Sequence, residues 1–89
     1  MERENRAKIE AALVKWLSKL REEKGLSQDA LAVQLSKGQS DIAKIENGSK
    51  RITVAEVLYW MEALEIPYSR LNEVLEPIYL SITHKKKLE

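Results

Sequence analysis

The apolar residues of this chain recur at offsets of three and four, and helix breakers cut that recurrence into five short pieces. The breakers are Gly25, Ser36-Lys37-Gly38, Asn47-Gly48, Pro67 and Pro77. Offsets of three and four place side chains on one face of an α-helix. Glycine and proline end such faces by conformation and by the missing N–H. The chain is therefore limited to an all-α domain of five short helices with short connections. Only Ile78–Ile82 is left without an assigned form.

The first helix is predicted over about 3–24, with Ile9, Leu13, Trp16, Leu17 and Leu20 on its apolar face. Gly25 follows a basic-ended last turn and suits a left-handed cap. Ser27 is a good N-cap for a second helix, with Asp29 in its first turn and Ala30, Leu31, Ala32 and Leu35 continuing it. A third helix is predicted from Gln39 to Asn47, burying Ile42, Ala43 and Ile45. Thr53 and Glu56 have capping-box spacing, and open a fourth helix with Val54, Val57, Leu58, Met61 and Leu64 as its stripe. Ser69 is read as the cap of a fifth, which Pro77 ends near residue 76. The expected organisation is one domain over 1–83 and a basic tail over 84–89, whose last two residues read as a cloning scar.

Composition narrows the chemistry. The chain has no cysteine, which removes disulfides and cysteine-based zinc sites and fits a reducing cytoplasm. The single histidine, His84, cannot build a metal site alone and reads as a solvated tail residue. Met1 to Lys8 alternates in charge and lacks a signal peptide's apolar stretch. There is no glycine-rich phosphate loop and no spaced carboxylate pair in an obvious cleft, so no enzyme activity and no cofactor are expected. The formal net charge is only +1, low for a nucleic-acid binder. Its distribution is uneven. Lys37, Lys44, Lys50 and Arg51 outnumber Asp41 and Glu46 between Ser36 and Arg51, and Lys85, Lys86 and Lys87 follow in the tail.

The second and third helices, separated by a three- or four-residue turn, suit a DNA-reading pair. The later helix enters the major groove and the earlier one spans the backbone. Leu20 to Ala32 resembles the opening of the phage-repressor (Xre/Cro type) helix-turn-helix family, and Gln39 to Gly48 its recognition helix and exit turn. Arg51-Ile52-Thr53 and Leu64 to Pro67 continue in register. The resemblance spans roughly Leu13 to Leu75. It implies a five-helix, lambda-repressor-like fold, dimeric binding to double-stranded operator DNA, and control of transcription.

Carried over by that resemblance, Gln28 opens the second helix and touches phosphate. Gln39 reads base edges or supports Gln28. Ser40, Asp41 and Lys44 occupy variable recognition positions, with helix-end stabilisation as the plainer role for Asp41. Asn47, Lys50 and Arg51 form the backbone-contacting exit. The family's usual turn is glycine, an apolar residue, then serine or threonine, whereas this chain has Ser36, Lys37 and Gly38. A left-handed serine is sterically unfavourable, so the turn is expected to rearrange locally within an intact fold.

Trp16 and Trp60 read as core or interface residues. Tyr59, Ile78, Tyr79, Leu80 and Ile82 read as one apolar patch, and hence as a homodimer contact. Three function classes follow: a DNA-binding regulator, expected to be a repressor; an antitoxin-like relative binding both DNA and a toxin; and a protein-interaction module that has lost DNA affinity.

Overall fold

The computed structural model describes residues 3–88, with side-chain surroundings for 5–83. The readings of His84 and Lys85–Lys87 as tail side chains, and of Leu88-Glu89 as a scar, lie outside these described parts.

Five helices form among the described residues: α1 (Arg3–Glu23), α2 (Gln28–Gln34), α3 (Gln39–Glu46), α4 (Val54–Ala63) and α5 (Asn72–Leu88), with a 3₁₀ turn at Tyr68–Leu71 before α5. There is no strand among the described residues. No described helix is long and apolar enough to cross a membrane.

Local chemistry explains most helix ends. The Ser27 hydroxyl accepts from the Ala30 N–H and starts α2. Thr53 and Glu56 close the reciprocal capping box at the start of α4. Helices α1, α2 and α4 end alike. The N–H two places past the cap bonds back to the helix: Leu26 to Arg21 O, Lys37 to Ala32 O and Ile66 to Met61 O. The residue before it takes a left-handed φ: Gly25 at 74°, Ser36 at 55° and Glu65 at 57°. That residue's own N–H bonds to Glu22 O, Val33 O or Glu62 O, and the two hydrogen bonds satisfy carbonyls that the helix leaves without partners. The turn expected to rearrange around Ser36 therefore does not. Serine holds the left-handed position, since two backbone hydrogen bonds and the packing of α2 on α3 outweigh its steric penalty.

One core joins the first four helices. Val14, Leu17 and Leu20 of α1 meet Leu31 and Ala32 of α2 and Ile42 and Ile45 of α3. Val57, Trp60 and Met61 of α4, with Leu64 and Ile66 beyond it, close the far side. Trp60 is wholly buried, whereas Trp16 is half-buried and donates from its indole nitrogen to Glu73 at 3.4 Å. Two members of the expected α4 stripe are outside: Val54 is 79% exposed and Leu58 47%. Val54 opens the helix and Leu58 follows the buried Val57, so the stripe that α4 buries is 57, 60, 61 and 64.

Two expectations for the C-terminal part are corrected. Ser69 does not cap the last helix; it lies inside the 3₁₀ turn, whose N-cap is Pro67. Pro77 does not end α5, which continues through Ile78–Ile82 to Leu88. Proline removes one N–H···O bond and crowds the carbonyl four residues back. That carbonyl belongs to Glu73, an exposed residue. The helix passes through because α5 lays Val74 and Ile78 against the body of the molecule, with α1 as its main neighbour. Burial along that side outweighs the single lost bond. The radius of gyration is 13.9 Å, against about 12 Å for a compact chain of this length. The excess fits the long α1 and α5.

Candidate nucleic-acid interface

Helices α2 and α3 are packed directly on one another, and Leu31, Ala32, Ile42 and Ile45 are buried between them and the rest of the core. The link is short: the cap Leu35, left-handed Ser36, Lys37, then Gly38 as N-cap of α3 with φ −79° and ψ 151°. Gly38 offers no side-chain cap, so the first N–H groups of α3 have no side-chain acceptor from it. Opposite the buried face, Gln39, Ser40 and Lys44 are exposed and Asp41 is half-exposed.

A polar chain runs from α1 to the start of α3. Arg21 donates from Nε and Nη2 to the two Glu46 oxygens at 2.7 and 3.1 Å, and from Nη1 to the Leu26 carbonyl. Gln28 Nε2 donates to Glu46 Oε1 at 2.8 Å, and Gln39 Nε2 donates to Gln28 Oε1 at 2.7 Å. The order of donors is forced. An ionised carboxylate only accepts, so Gln28 must turn its NH₂ to Glu46 and its oxygen to Gln39. Gln39 is left with its own Oε1 and one N–H pointing away from the chain of bonds. Burial pushes the Glu46 carboxyl up, but hydrogen bonds from Arg21 and Gln28 and the charge of Arg21 hold it below the usual carboxylate range. The same hydrogen bond raises the Arg21 guanidinium against the opposing effect of its own burial.

The exit from α3 is built differently. Asn47 Oδ1 accepts from the Ser49 N–H at 2.9 Å and also from the Ser49 hydroxyl, and Gly48 takes a φ of 85°. Ile52 is half-buried against the core and anchors the loop. Lys50 and Arg51 are exposed, and both are ion-paired. Lys50 Nζ lies 3.4 Å from Asp41 Oδ1. Arg51 donates from Nε and Nη2 to the two Glu10 oxygens at 2.9 and 2.8 Å, and these bonds raise its guanidinium pKa further. Lys37, in the turn, lies 3.4 Å from Glu56.

The structure thus brings Gln28, Gln39, Ser40, Asp41 and Lys44 to adjoining parts of α2 and α3, with Asn47, Lys50 and Arg51 on the loop that follows. Two packed helices joined by a tight left-handed turn, with polar side chains on the outer face of the second, are the helix-turn-helix arrangement. A family described as helix-turn-helix domain matches residues 15–75, well over half of the chain. This chain belongs to the Xre/Cro-type helix-turn-helix family. No curated protein matches it. Membership brings the lambda-repressor-like fold, here as five helices among the described residues, and places the protein in a DNA-binding family that is typically non-enzymatic.

In the sequence Glu46 counts only as one of two anions in a basic stretch, and Arg21 lies in the basic-ended last turn of α1; in the structure they join to support the helix-turn-helix. Sequence reasoning did not single out Glu10 at all. Nothing in a sequence marks that pair, because Glu10 and Arg51 are separated by 41 positions and meet only through the packing of the exit loop on α1. Tyr59 lines a groove between the end of α2 and α4 with Leu35, Lys37 and Ala63. The lining of that groove includes none of Ile78, Tyr79, Leu80 and Ile82. Tyr79, Leu80 and Ile82 are exposed on α5, and Ile78 is half-buried.

Proposed function

We propose that this helix-turn-helix protein is a sequence-specific transcriptional repressor that acts as a dimer on operator DNA in the cytoplasm. The observation that supports it most is the bonded series Arg21–Glu46–Gln28–Gln39. It holds an exposed glutamine at the N-terminus of α3 in one amide orientation before any DNA arrives. Holding a readout group in place beforehand lowers the ordering entropy of binding. The free Oε1 and N–H of Gln39 match the N6–H and N7 of adenine in the major groove. Ser40, Asp41 and Lys44 follow it along the helix as further base readers. Gln28, Asn47, Lys50 and Arg51 contact phosphate and fix register.

Dimerisation is proposed through α5. Tyr79, Leu80 and Ile82 leave an apolar surface there that a small monomer seldom keeps wet. Tyr59 lies on the separate α2–α4 groove and takes a secondary place in this reading. Two copies of α3 would then sit about one DNA turn apart. Sedimentation checks this part: a monomer at high micromolar concentration rejects the α5 contact.

Selection of bound duplexes from a random pool at physiological salt tests the whole reading. A two-fold symmetric motif with adenine at a fixed position, lost in Gln39→Ala, supports it. No enrichment rejects it. The interaction-module reading, including an antitoxin-like role with a toxin partner, draws on one observation: Lys37, Lys50 and Arg51 are all engaged by the protein's own acids.

A further inference from the structure

Of the four cations from Lys37 to Arg51, three face a carboxylate of the same chain, and Lys44 is the one without an ion pair among the described residues. The three pairs are not equivalent. Glu56 is tied into the Thr53 capping box and serves the fold. Neither Glu10 nor Asp41 closes a side-chain cap, although the charge of Asp41 in the first turn of α3 favours that helix end. Glu10 offers both oxygens to the Nε and Nη2 donors of Arg51, the fork that a phosphate would occupy. Asp41 sits opposite Lys50 across the exit of α3. Both pairs are at the surface, with the Arg51 side chain 68% exposed and that of Lys50 43% exposed, so a phosphate can compete for either cation.

We infer that Glu10 and Asp41 are specificity-determining residues: they occupy Arg51 and Lys50 in the free protein and hold down affinity for DNA that offers no matching bases. This rests on reading Lys50 and Arg51 as phosphate contacts. Sequence-independent binding comes almost wholly from cations replacing counterions on the phosphate backbone. A cation already neutralised by its own protein contributes less to that term, because phosphate must first displace the carboxylate. Base contacts from Gln39 and Ser40 are not weakened, since neither side chain takes part in these pairs. The result is a lower background with base reading by Gln39, Ser40 and Lys44 intact, and it explains how a chain of net charge +1 bears a DNA-reading surface.

The test is anisotropy titration of a random-sequence duplex of about two half-sites' length over a salt series, with Glu10→Gln, Asp41→Asn, and Glu10→Gln in an Arg51→Ala background. Glu10→Gln is expected to tighten random-duplex binding about twofold to fivefold. The slope of log K against log salt should steepen by about one for each freed cation. Asp41→Asn should act in the same direction. In the Arg51→Ala background Glu10→Gln should change nothing, because its effect passes through that guanidinium. An equal gain in both backgrounds means loss of long-range repulsion only and overturns the inference. A parent that binds DNA and a Glu10→Gln variant that matches it does the same, while leaving the DNA-binding reading intact. Failure of every protein to bind any duplex removes that reading and this inference together. Both substitutions replace surface carboxylates, and circular dichroism confirms that the helices persist.

Discussion

Replacing Ser36 by glycine should stabilise the protein, and replacing Gly25 by alanine should destabilise it by a similar amount. Both residues occupy the same place in the same helix-ending motif, with φ of 55° and 74°. A side chain in the left-handed region costs roughly 1–2 kcal/mol. Glycine gives back about 0.5–1 kcal/mol of this through its greater freedom in the unfolded chain. The net is about 0.5–1 kcal/mol in favour of glycine at either position. Contacts do not confuse the comparison: Ser36 is exposed, and a Cβ at Gly25 would meet nothing within 4 Å. For a domain of this size that corresponds to about 2–8 °C in Tm. Urea and thermal unfolding followed by helical circular dichroism read both variants. Ser36→Gly should raise Tm and Gly25→Ala should lower it, with the urea m-value unchanged. If Ser36→Gly leaves Tm at or below the parent while Gly25→Ala lowers it, left-handed strain is not what the serine brings to the turn, and the reasoning is wrong.

Four further substitutions read other parts of the structure. Glu46→Gln should lower stability by about 2 kcal/mol, since it leaves the Arg21 guanidinium without its counter-charge, and should weaken operator binding beyond that loss by releasing Gln28 and Gln39. Because the folded state holds the Glu46 carboxyl below its unfolded value, its contribution is complete above about pH 4.3 and fades as pH falls through the folded value. Acid unfolding of Glu46→Gln should accordingly be shallower than that of the parent. Pro77→Ala should raise stability by about 1–2 kcal/mol through the restored α5 hydrogen bond, read as a higher urea midpoint. Val54→Thr should change stability by less than about 0.5 kcal/mol, whereas Val57→Ala, at a buried site on the same helix, should lower it by about 1–3 kcal/mol.

The helices of this protein are legible in its sequence because their signals are local. Thr53 and Glu56 are three residues apart, Ser27 caps through the Ala30 N–H, and Gly25 ends α1 where it stands. The exposed polar side of Gln39, Ser40 and Lys44 was legible for the same reason, since the spacing of one helix determines which residues share a side; its reading as a DNA-contacting face came from the family resemblance. Where a local signal competed with burial, the local reading failed. Ser36 takes a conformation that serine disfavours, Pro77 lies within a helix, and Val54 and Leu58 fit an apolar stripe yet face outward.

Sequence alone determined that the chain is all-α, where α1 to α4 begin, and which pair of helices forms the helix-turn-helix. Each of these rests on hydrogen bonds and periodicities that close within a few residues. Only the tertiary structure decided that Arg21 and Glu46 support Gln28 and Gln39, and that Glu10 engages Arg51. It alone placed Tyr59 in the groove between α2 and α4. Those pairings join residues far apart along the chain. Their geometry is set by how α1, α3 and the exit loop pack around Leu17, Ile42 and Ile45. Charge attracts at contact distance, and contact distance between distant residues is a property of the packed core.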